Sequence, residues 1–477
     1  MTIDHRDDPQ RDDPQREDVV RELGHLGAAE RERLYAAARA AGADAAALQA
    51  MALPELRACA ASSGIAVRPG LGRQELHFLL LQHRCAQHGL GWAGGVLEVM
   101  PDGFGFLRAV ANDFAPGPDD VYLSPGQIHH LNLKSGLHVE GPIRPARRGE
   151  LYLTLVRVEL VNGRPVDELA QRVPFDQATA VLPRTRLRLD AGPIGDGSIG
   201  DGPIGDGNDD AFAVQAVALL SPLGLGQRVL LQAPPGSGRL GLLVRLVAAA
   251  LRGAPDLHAI VCLLAERPED VTEARRHPFA AGRCTVVATT FDETPQRHVA
   301  VADLALAQSM RLVEYGQHVL LAFDSLTALV RACQQDLPPT GRVLAPGLEV
   351  PALQRSKKLF AAGRSLEAGA SLTVLASVVT DGTRIDDAIA AEFAGKGNAE
   401  IALDRALAGE HVQPPLDALR TATRREDCLL DARGVAGLRR LRQQLQTLEP
   451  RARLDLLREL LLRHRGDTDA VLAELAT

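Results

Sequence analysis

The feature that most constrains the fold is the glycine-rich segment APPGSGRL at residues 233–240. It follows the apolar run RVLLQ at residues 228–232 and precedes the apolar helical pattern GLLVRLV at residues 241–247. A strand, a glycine-rich turn and a helix in this order form a P-loop, whose backbone N–H groups surround the phosphates of a nucleotide. A working P-loop continues with Lys and then Ser or Thr, whereas this chain has Arg239 and Leu240.

These two substitutions change the chemistry of the loop. Arg239 keeps a positive charge, but its planar guanidinium group is bulkier than an ammonium group. Leu240 has no side-chain oxygen, so it cannot bind Mg²⁺ as a Ser or Thr hydroxyl does. The chain has only four lysines, and this scarcity explains Arg239 but not Leu240. The pair therefore predicts a nucleotide site with impaired hydrolysis.

Two apolar runs after this loop each end in an acidic residue. Glu266 ends VCLLAE, where a carboxylate can orient an attacking water, and Asp324 ends VLLAFD, the pattern of a carboxylate that helps to hold Mg²⁺. A strand-terminal Asp is more often a helix cap, but two such acids after a P-loop favour the nucleotide site. Apolar strands alternating with helical stretches predict a mostly parallel α/β sheet. The predicted strands lie near residues 228–232, 258–264, 284–289, 317–323 and 371–378.

A second candidate site lies in a region of short β-type runs separated by Pro, Gly and Asp, from residue 95 to about 175. In DGFGFLR at residues 102–108, Phe104 and Phe106 fall on one face of a strand, with Arg108 beside them. An isolated Phe-x-Phe pair is more often part of a core. Aromatic residues make up only 3% of the chain, however, and several of them cluster here: Trp92, Phe104, Phe106, Phe114 and Tyr122. This clustering favours a base-stacking surface on an OB-fold or cold-shock-like barrel.

Composition limits the other possibilities. The chain has 477 residues and a net charge of −7, which argues against a protein that coats duplex DNA but leaves single-strand binding open. No apolar run of about 18 residues is present, so we expect no membrane span. The six cysteines are scattered without metal-ligand spacing, which favours reduced thiols and a cytoplasmic location.

The texture of the sequence predicts six segments. The first contains a tandem RDDPQ repeat, and the fourth contains PIGDG repeats that we interpret as a linker, since their five-residue period does not fit a calcium-binding repeat. The segments are a disordered or helical extension (1–47), a helical subdomain (48–92), the RNA-binding barrel (93–180), the linker (181–213), the ATPase domain (214–430) and C-terminal helices (431–477).

These motifs together resemble the Rho family of bacterial transcription termination factors, over about residues 48–470. The matching segments are GVLEV (95–99), PDGFGFLR (101–108), GPDDVYLSP (117–125), GPIRP (141–145), ERPEDVTE (266–273), TFDE (290–293), RH (297–298), DSLT (324–327), ALQR (352–355), EFAGKGN (392–398) and TRRED (423–427). The resemblance implies a multidomain fold with a small helical bundle, an OB-fold barrel, a RecA-like P-loop ATPase core and C-terminal helices. It also implies a homohexameric, RNA-dependent ATPase and helicase that uses ATP and Mg²⁺.

The resemblance also implies roles for individual residues. Pyrimidine-rich single-stranded RNA would bind at Phe104, Phe106, Arg108 and Tyr122, and again at two channel loops carrying Arg342 and Arg384. Glu266 would be the catalytic glutamate, Asp324 the metal-binding aspartate and Arg424 an arginine finger that reaches the neighbouring subunit's nucleotide. The nucleotide contacts would be Pro235, Gly236, Ser237, Gly238, Arg239, Leu240, Arg267 and Gln413.

Departures from the family pattern concentrate around the nucleotide. Besides those in the P-loop, they are Ala265, Ala328, His411 and Gln413, which stand in place of Asp, Arg, Arg and Phe. Two functions stay open: a Rho-type termination factor with an impaired motor, and an inactive paralogue that acts as an RNA-binding or regulatory subunit. Contacts with RNA polymerase and elongation factors are left open as well. An unrelated RecA-type or rotary ATPase is disfavoured, because neither carries the aromatic barrel motif.

Overall fold

In a computed structural model, the structure describes residues 27–147, 149–171, 173–192, 207–279, 282–338, 341, 343–344 and 347–477. The chain divides into two compact units, Met1–Arg172 and Val173–Thr477. The RDDPQ repeat, nearly all of the PIGDG repeat and Arg342 lie outside the described residues.

The first unit begins with three helices, α1 (Ala28–Ala50), α2 (Leu53–Ser62) and α3 (Arg73–His88). A glutamate in the first turn of α2 and of α3 accepts a hydrogen bond from the backbone N–H just before the helix, which fixes where each helix starts. The helices enclose a small apolar cluster: Leu48, Leu56, Ala60, Leu76 and Leu80. Helix α1 runs without interruption through residue 47, where the sequence predicted a boundary.

The rest of this unit is a closed barrel. Its strands and helix are β1 (Gly91–Val99), β2 (Gly105–Arg108), β3 (Val121–Leu123), α4 (Pro125–His130), β4 (His138–Arg144), β5 (Leu153–Leu155), β6 (Leu160–Val161) and β7 (Arg164–Pro165). The sheet order is β1-β2-β3-β5-β4-β6-β7, and an additional pairing of β1 with β4 closes a five-stranded barrel. The predicted OB-fold barrel is confirmed.

The second unit is built on strands β8 (Ala180–Val181), β9 (Arg228–Ala233), β10 (Leu257–Glu266), β11 (Cys284–Thr290), β12 (His318–Asp324), β13 (Val343–Leu344), β14 (Leu348–Glu349), β15 (Arg364–Leu366), β16 (Ser371–Val379), β17 (Ala399–Ala402) and β18 (Ala422–Thr423). Nine of them form one sheet in the order β11-β10-β12-β16-β9-β17-β18, with β15 paired to β16 and β8 paired to β15, while β13 and β14 pair separately. The first six strands of this order are parallel, as continuous apolar runs predicted for five of them.

Helices cover this sheet, and buried leucines of the C-terminal helices join its apolar core. The helices are α5 (Gly207–Leu220), α6 (Arg239–Gly253), α7 (Pro268–Arg276), α8 (Pro295–Glu314), α9 (Leu326–Asp336), α10 (Val350–Ala361), α11 (Arg384–Phe393), α12 (Arg405–Gly409), α13 (Ala432–Gln446), α14 (Pro450–Arg463) and α15 (Thr468–Leu475). No helix among the described residues is long and apolar enough to cross a membrane.

Candidate functional site

The parallel strands place the predicted nucleotide residues at one edge of the sheet. The P-loop follows β9, Glu266 ends β10 and Asp324 ends β12, and carboxyl ends of parallel strands meet at the same edge. A cleft of about 1610 Å³ opens there, which is ample for a nucleotide, since ligand pockets typically measure roughly 300–1,000 Å³. All eight predicted nucleotide contacts line it: Pro235, Gly236, Ser237, Gly238, Arg239, Leu240, Arg267 and Gln413.

The loop has the backbone of a phosphate cradle. Gly236 and Gly238 have φ values of 76° and 75°, a left-handed conformation that side chains other than that of glycine seldom adopt. The Ser237 hydroxyl donates to the Pro234 carbonyl at 2.7 Å and closes the turn. Helix α6 begins directly afterwards at Arg239. The loop is therefore folded to present backbone N–H groups to an anion.

Arg239 lies between the two strand-terminal carboxylates. Its Nη2 donates to Glu266 Oε1 at 2.7 Å, and its Nε lies 2.8 Å from Asp324 Oδ1 and 3.1 Å from Oδ2. Burial lowers the pKa of Arg239, but the two carboxylates outweigh that effect and raise it, so the guanidinium stays charged. This side chain ties the P-loop to both acids that the sequence assigned to catalysis and metal binding.

A bulge in β10 aims Glu266 at this arginine. The pairing with β11 shifts between Leu263 and Glu266, and the intervening Ala265 has a φ of 55°. Burial, with the negative charge of Asp324 added, raises the pKa of Glu266 to about 7, although Arg239 counteracts it. The Glu266 carboxyl accepts a hydrogen bond from Arg239 in this position.

The residues around Asp324 do not fit Mg²⁺. Asp324 is completely buried, and Arg239 Nε contacts both of its oxygens while the Ser377 hydroxyl donates to Oδ1 at 2.6 Å. The position that offers a hydroxyl to Mg²⁺ in a working P-loop is Leu240, which packs against the apolar core. In the described part of the chain, no group of three or more His, Cys, Asp or Glu side chains could hold a metal ion.

The arginines predicted to act at a neighbouring subunit and in the second channel loop, Arg424 and Arg384, do not line this cleft. Arg424 is exposed and borders a separate cavity of about 160 Å³ with Arg228 and Lys396. Arg384 is exposed at the start of α11. Their roles stay predictions, as does that of Arg342.

The aromatic residues of the barrel form a continuous surface. The ring centroid of Phe104 lies 5.6 Å from that of Phe106 and 5.8 Å from that of Tyr122. Phe106 is directly opposite Tyr122 across β2 and β3, and its ring lies 4.8 Å from that of Tyr152. All four rings are half-buried rather than sealed in the core. We refer to these four residues as the aromatic surface.

Arg108 lies beneath this surface. Its side chain is 5% exposed, it contacts Glu98 at 2.7 Å and Asp120, and its guanidinium carbon lies 5.0 Å from the Phe106 ring centroid. Burial is the main cause that raises the pKa of Asp120 to about 6. The geometry suits Arg108 to holding Phe106 in place, and direct contact with RNA stays a prediction.

Sequence reasoning missed several residues of both sites. The scarcity of aromatic residues could have indicated Tyr152, since the chain has only four tyrosines. It follows a loop after β4, however, and is far from the Phe-x-Phe motif along the sequence. Ser377 carries no motif at all and reaches Asp324 only because β12 and β16 pair. Asp210, Arg245 and His277 line the far end of the cleft from α5, α6 and the end of α7, and nothing in their local sequence marks them.

Two known protein families match the chain, one over the barrel and one over the region that contains the P-loop. The chain matches the family model described as "Rho termination factor, RNA-binding domain" over residues 93–167. It also matches "ATP synthase alpha/beta family, nucleotide-binding domain" over residues 213–423. The first match contains the aromatic surface, and the second contains the P-loop, Glu266 and Asp324.

Curated relatives match most of the chain. The transcription termination factor Rho of Rhodopirellula baltica is 38% identical over 88% of this chain and 78% of its own length. That of Aquifex aeolicus is 37% identical over 88% of this chain and 93% of its own. That of Chromobacterium violaceum is 38% identical over 86% and 95%.

Proposed function

This chain belongs to the Rho family of transcription termination factors, and from that premise we propose that it binds pyrimidine-rich single-stranded RNA on the aromatic surface while hydrolysing ATP slowly or not at all. The observation that carries the second half is the contact of Arg239 with both Glu266 and Asp324.

The aromatic surface supports the RNA-binding half. Its four rings are partly exposed, and the centroids of neighbouring rings lie 4.8 to 6.2 Å apart. Stacking of a base on an aromatic ring contributes about 1–3 kcal/mol and does not require sequence-specific hydrogen bonds. A preference for pyrimidine bases is what the family resemblance implies.

The Arg239 contacts support slow hydrolysis. A glutamate that orients a water needs a carboxylate that can turn towards that water, and Arg239 holds Glu266 by a hydrogen bond to Oε1 at 2.7 Å. Asp324 is likewise held by Arg239 and Ser377. Losing one transition-state contact typically costs about 2.7–4 kcal/mol, and each 1.36 kcal/mol is about tenfold in rate. Two such losses place turnover several orders of magnitude below that of an intact site.

Assembly into a homohexamer is part of the same proposal. Arg424 is exposed and does not line its own chain's cleft, so it would meet a nucleotide only if another copy supplied that nucleotide. Contact with RNA polymerase rests on family membership alone.

The second candidate is an active ATP-driven motor, favoured by the retention of Glu266, Asp324 and Arg424 together. RNA-stimulated ATP hydrolysis by the purified chain separates the two. We expect a rate close to the uncatalysed background. A brisk rate that disappears in Glu266→Gln would establish the active motor and end the proposal of slow hydrolysis.

RNA binding is tested independently by fluorescence anisotropy with a labelled oligocytidine. Replacing Phe104 and Phe106 together with Ala should weaken binding by about 1–3 kcal/mol for each lost stack. Phe291→Ala is the matched control, because this ring is 64% exposed and lies in the second unit. Unchanged affinity in the double variant would show that the RNA binds elsewhere.

A further inference from the structure

We propose that the cleft binds a nucleoside diphosphate without a divalent cation, and that the Arg239 guanidinium supplies the positive charge that a metal ion supplies in a working P-loop. The inference rests on the proposed nucleotide site and adds the form of the ligand that this site accepts.

A metal ion in the cleft would need oxygen ligands around Asp324. Asp324 is fully buried and already accepts from Arg239 and Ser377. Leu240 supplies no oxygen, and its side chain packs against the apolar core. A Mg²⁺ ion demands near-octahedral oxygen ligands, so binding here would require Asp324 to exchange its present partners.

The positive charge of Arg239 also opposes a metal ion at Asp324. An ion bound to Asp324 would lie beside the Arg239 guanidinium, whose Nε is 2.8 Å from the same carboxylate. Two positive charges at that separation repel each other strongly in a partly buried site. The arginine therefore excludes a divalent cation for as long as it holds Asp324.

Arg239 and the backbone of the P-loop keep hydrogen-bond donors that can bind a phosphate. Arg239 uses Nε and Nη2 for the carboxylates, and in the described chain Nη1 donates to no protein acceptor. Its side chain is 21% exposed, so it reaches the cleft. The backbone N–H groups of residues 238–241 likewise donate to no protein acceptor among the described residues, and they lie where the loop turns into α6. One guanidinium edge and these N–H groups can together hold a phosphate while both carboxylate contacts persist.

The charge of the site favours a nucleoside diphosphate over a triphosphate. A guanidinium carries one positive charge, where Mg²⁺ carries two. Asp324 and Glu266 already face that charge, so the site balances less phosphate charge than a metal-loaded P-loop does. A nucleoside diphosphate, with one phosphate fewer than the triphosphate, suits it better.

The test measures binding rather than turnover. Fluorescent mant-ADP is titrated into the full chain in EDTA and in excess Mg²⁺. We expect the dissociation constant in Mg²⁺ to be equal to or weaker than that in EDTA. Tightening by tenfold or more in Mg²⁺, or no binding in either buffer, would overturn the inference.

Two variants sharpen this test. Arg239→Lys combined with Leu240→Thr should make binding tighten at least tenfold in Mg²⁺, because the shorter, flexible cation can leave Asp324 and the hydroxyl returns. Leu240→Thr alone should stay insensitive to Mg²⁺, because Arg239 still holds Asp324. Magnesium sensitivity in Leu240→Thr alone would show that Arg239 excludes nothing.

The outcome is distinguishable from failure of the proposed function. Binding that tightens in Mg²⁺ without turnover would contradict metal independence and leave slow hydrolysis intact. Brisk turnover would contradict slow hydrolysis whatever the binding assay gives.

Discussion

The barrel and the nucleotide cleft each contain an arginine that lies between two carboxylates. In the barrel, Arg108 contacts Glu98 and Asp120. In the cleft, Arg239 contacts Glu266 and Asp324. The two clusters share a chemistry, since a planar guanidinium group can donate to two acceptors at once, but they differ in where the cluster lies relative to the site.

Arg108 is 5% exposed and lies behind Phe106, so its ion pairs hold the ring from the inner side and leave its outer face open. Arg239 is 21% exposed and lies within the cleft, so its ion pairs occupy the groups on which hydrolysis depends. The same cluster therefore supports binding where it lies beneath a site and suppresses chemistry where it lies inside one.

The largest expected effect comes from removing each arginine. Arg239→Met leaves the wholly buried Asp324 without its partner and should destabilise the second unit by about 3–5 kcal/mol, the usual result of breaking a buried ion pair. Arg108→Met should destabilise the first unit for the same reason. Urea unfolding followed by circular dichroism measures both changes.

A probe that separates the units is available. The single tryptophan, Trp92, is buried in β1 of the barrel, so its fluorescence should report the Arg108 variant and not the Arg239 variant. Adding Asp324→Asn to Arg239→Met should recover part of the loss. If Arg239→Met is as stable as the parent chain, Asp324 does not depend on this pair and the proposed suppression of hydrolysis loses its basis.

The next effect is a gain of activity in the cleft alone. Arg239→Lys combined with Leu240→Thr should raise RNA-stimulated ATP hydrolysis by roughly 10²–10³-fold, the size of one restored transition-state contact. Arg108→Lys is the matched change in the other cluster and should leave the hydrolysis rate per bound RNA unchanged. No gain in the double variant would mean that the remaining departures, such as Ala265, limit turnover.

A smaller effect tests the open face of the barrel. Tyr152→Ala removes a ring that touches Phe106 at 4.8 Å and should weaken oligocytidine binding by about 1–3 kcal/mol. Tyr35→Ala is the control, because Tyr35 lies on α1 and its ring packs under Arg157 and not on the aromatic surface. Equal losses in the two variants would indicate general damage to the first unit rather than a lost stack.

The smallest effect is a dependence of stability on pH. Burial raises the pKa of Asp120 to about 6 and that of Glu266 to about 7, whereas unfolded carboxyls titrate near pH 4. The folded units therefore hold these protons longer than the unfolded chain does. The resulting contribution to the free energy of unfolding is fully present below about pH 4 and is lost as the pH rises through about 6 in the barrel and about 7 in the cleft.

Matched substitutions assign this dependence to each cluster. Asp120→Asn should flatten the pH profile of the first unit, and Glu266→Gln that of the second, with slopes no steeper than about 1.4 kcal/mol per pH unit for one proton. A parent chain that becomes more stable relative to its variant as the pH rises would mean that the arginine, not burial, dominates the carboxyl.

Much of this architecture was predictable from local pattern. Five of the six parallel strands ended within two residues of their expected positions, because continuous apolar runs mark strands buried on both faces. The sixth, β17, was not predicted. The eight residues predicted to contact the nucleotide all line one cleft, and six of them are consecutive in the glycine-rich loop. Phe104 and Phe106 came together because residues two apart on an extended chain share a face, whereas Tyr122 joins them through the pairing of β2 with β3.

The sequence by itself determined that a phosphate-binding loop and a stacking surface exist, and that the loop carries an arginine and a leucine where a lysine and a hydroxyl belong. Only the tertiary structure decided what that arginine does. Glu266 is 27 residues from Arg239 and Asp324 is 85 residues away, and Ser377 joins them from yet another strand. These contacts depend on the order in which β9, β10, β12 and β16 pair. No local pattern in the chain shows which carboxylates the Arg239 guanidinium will contact once the sheet has formed.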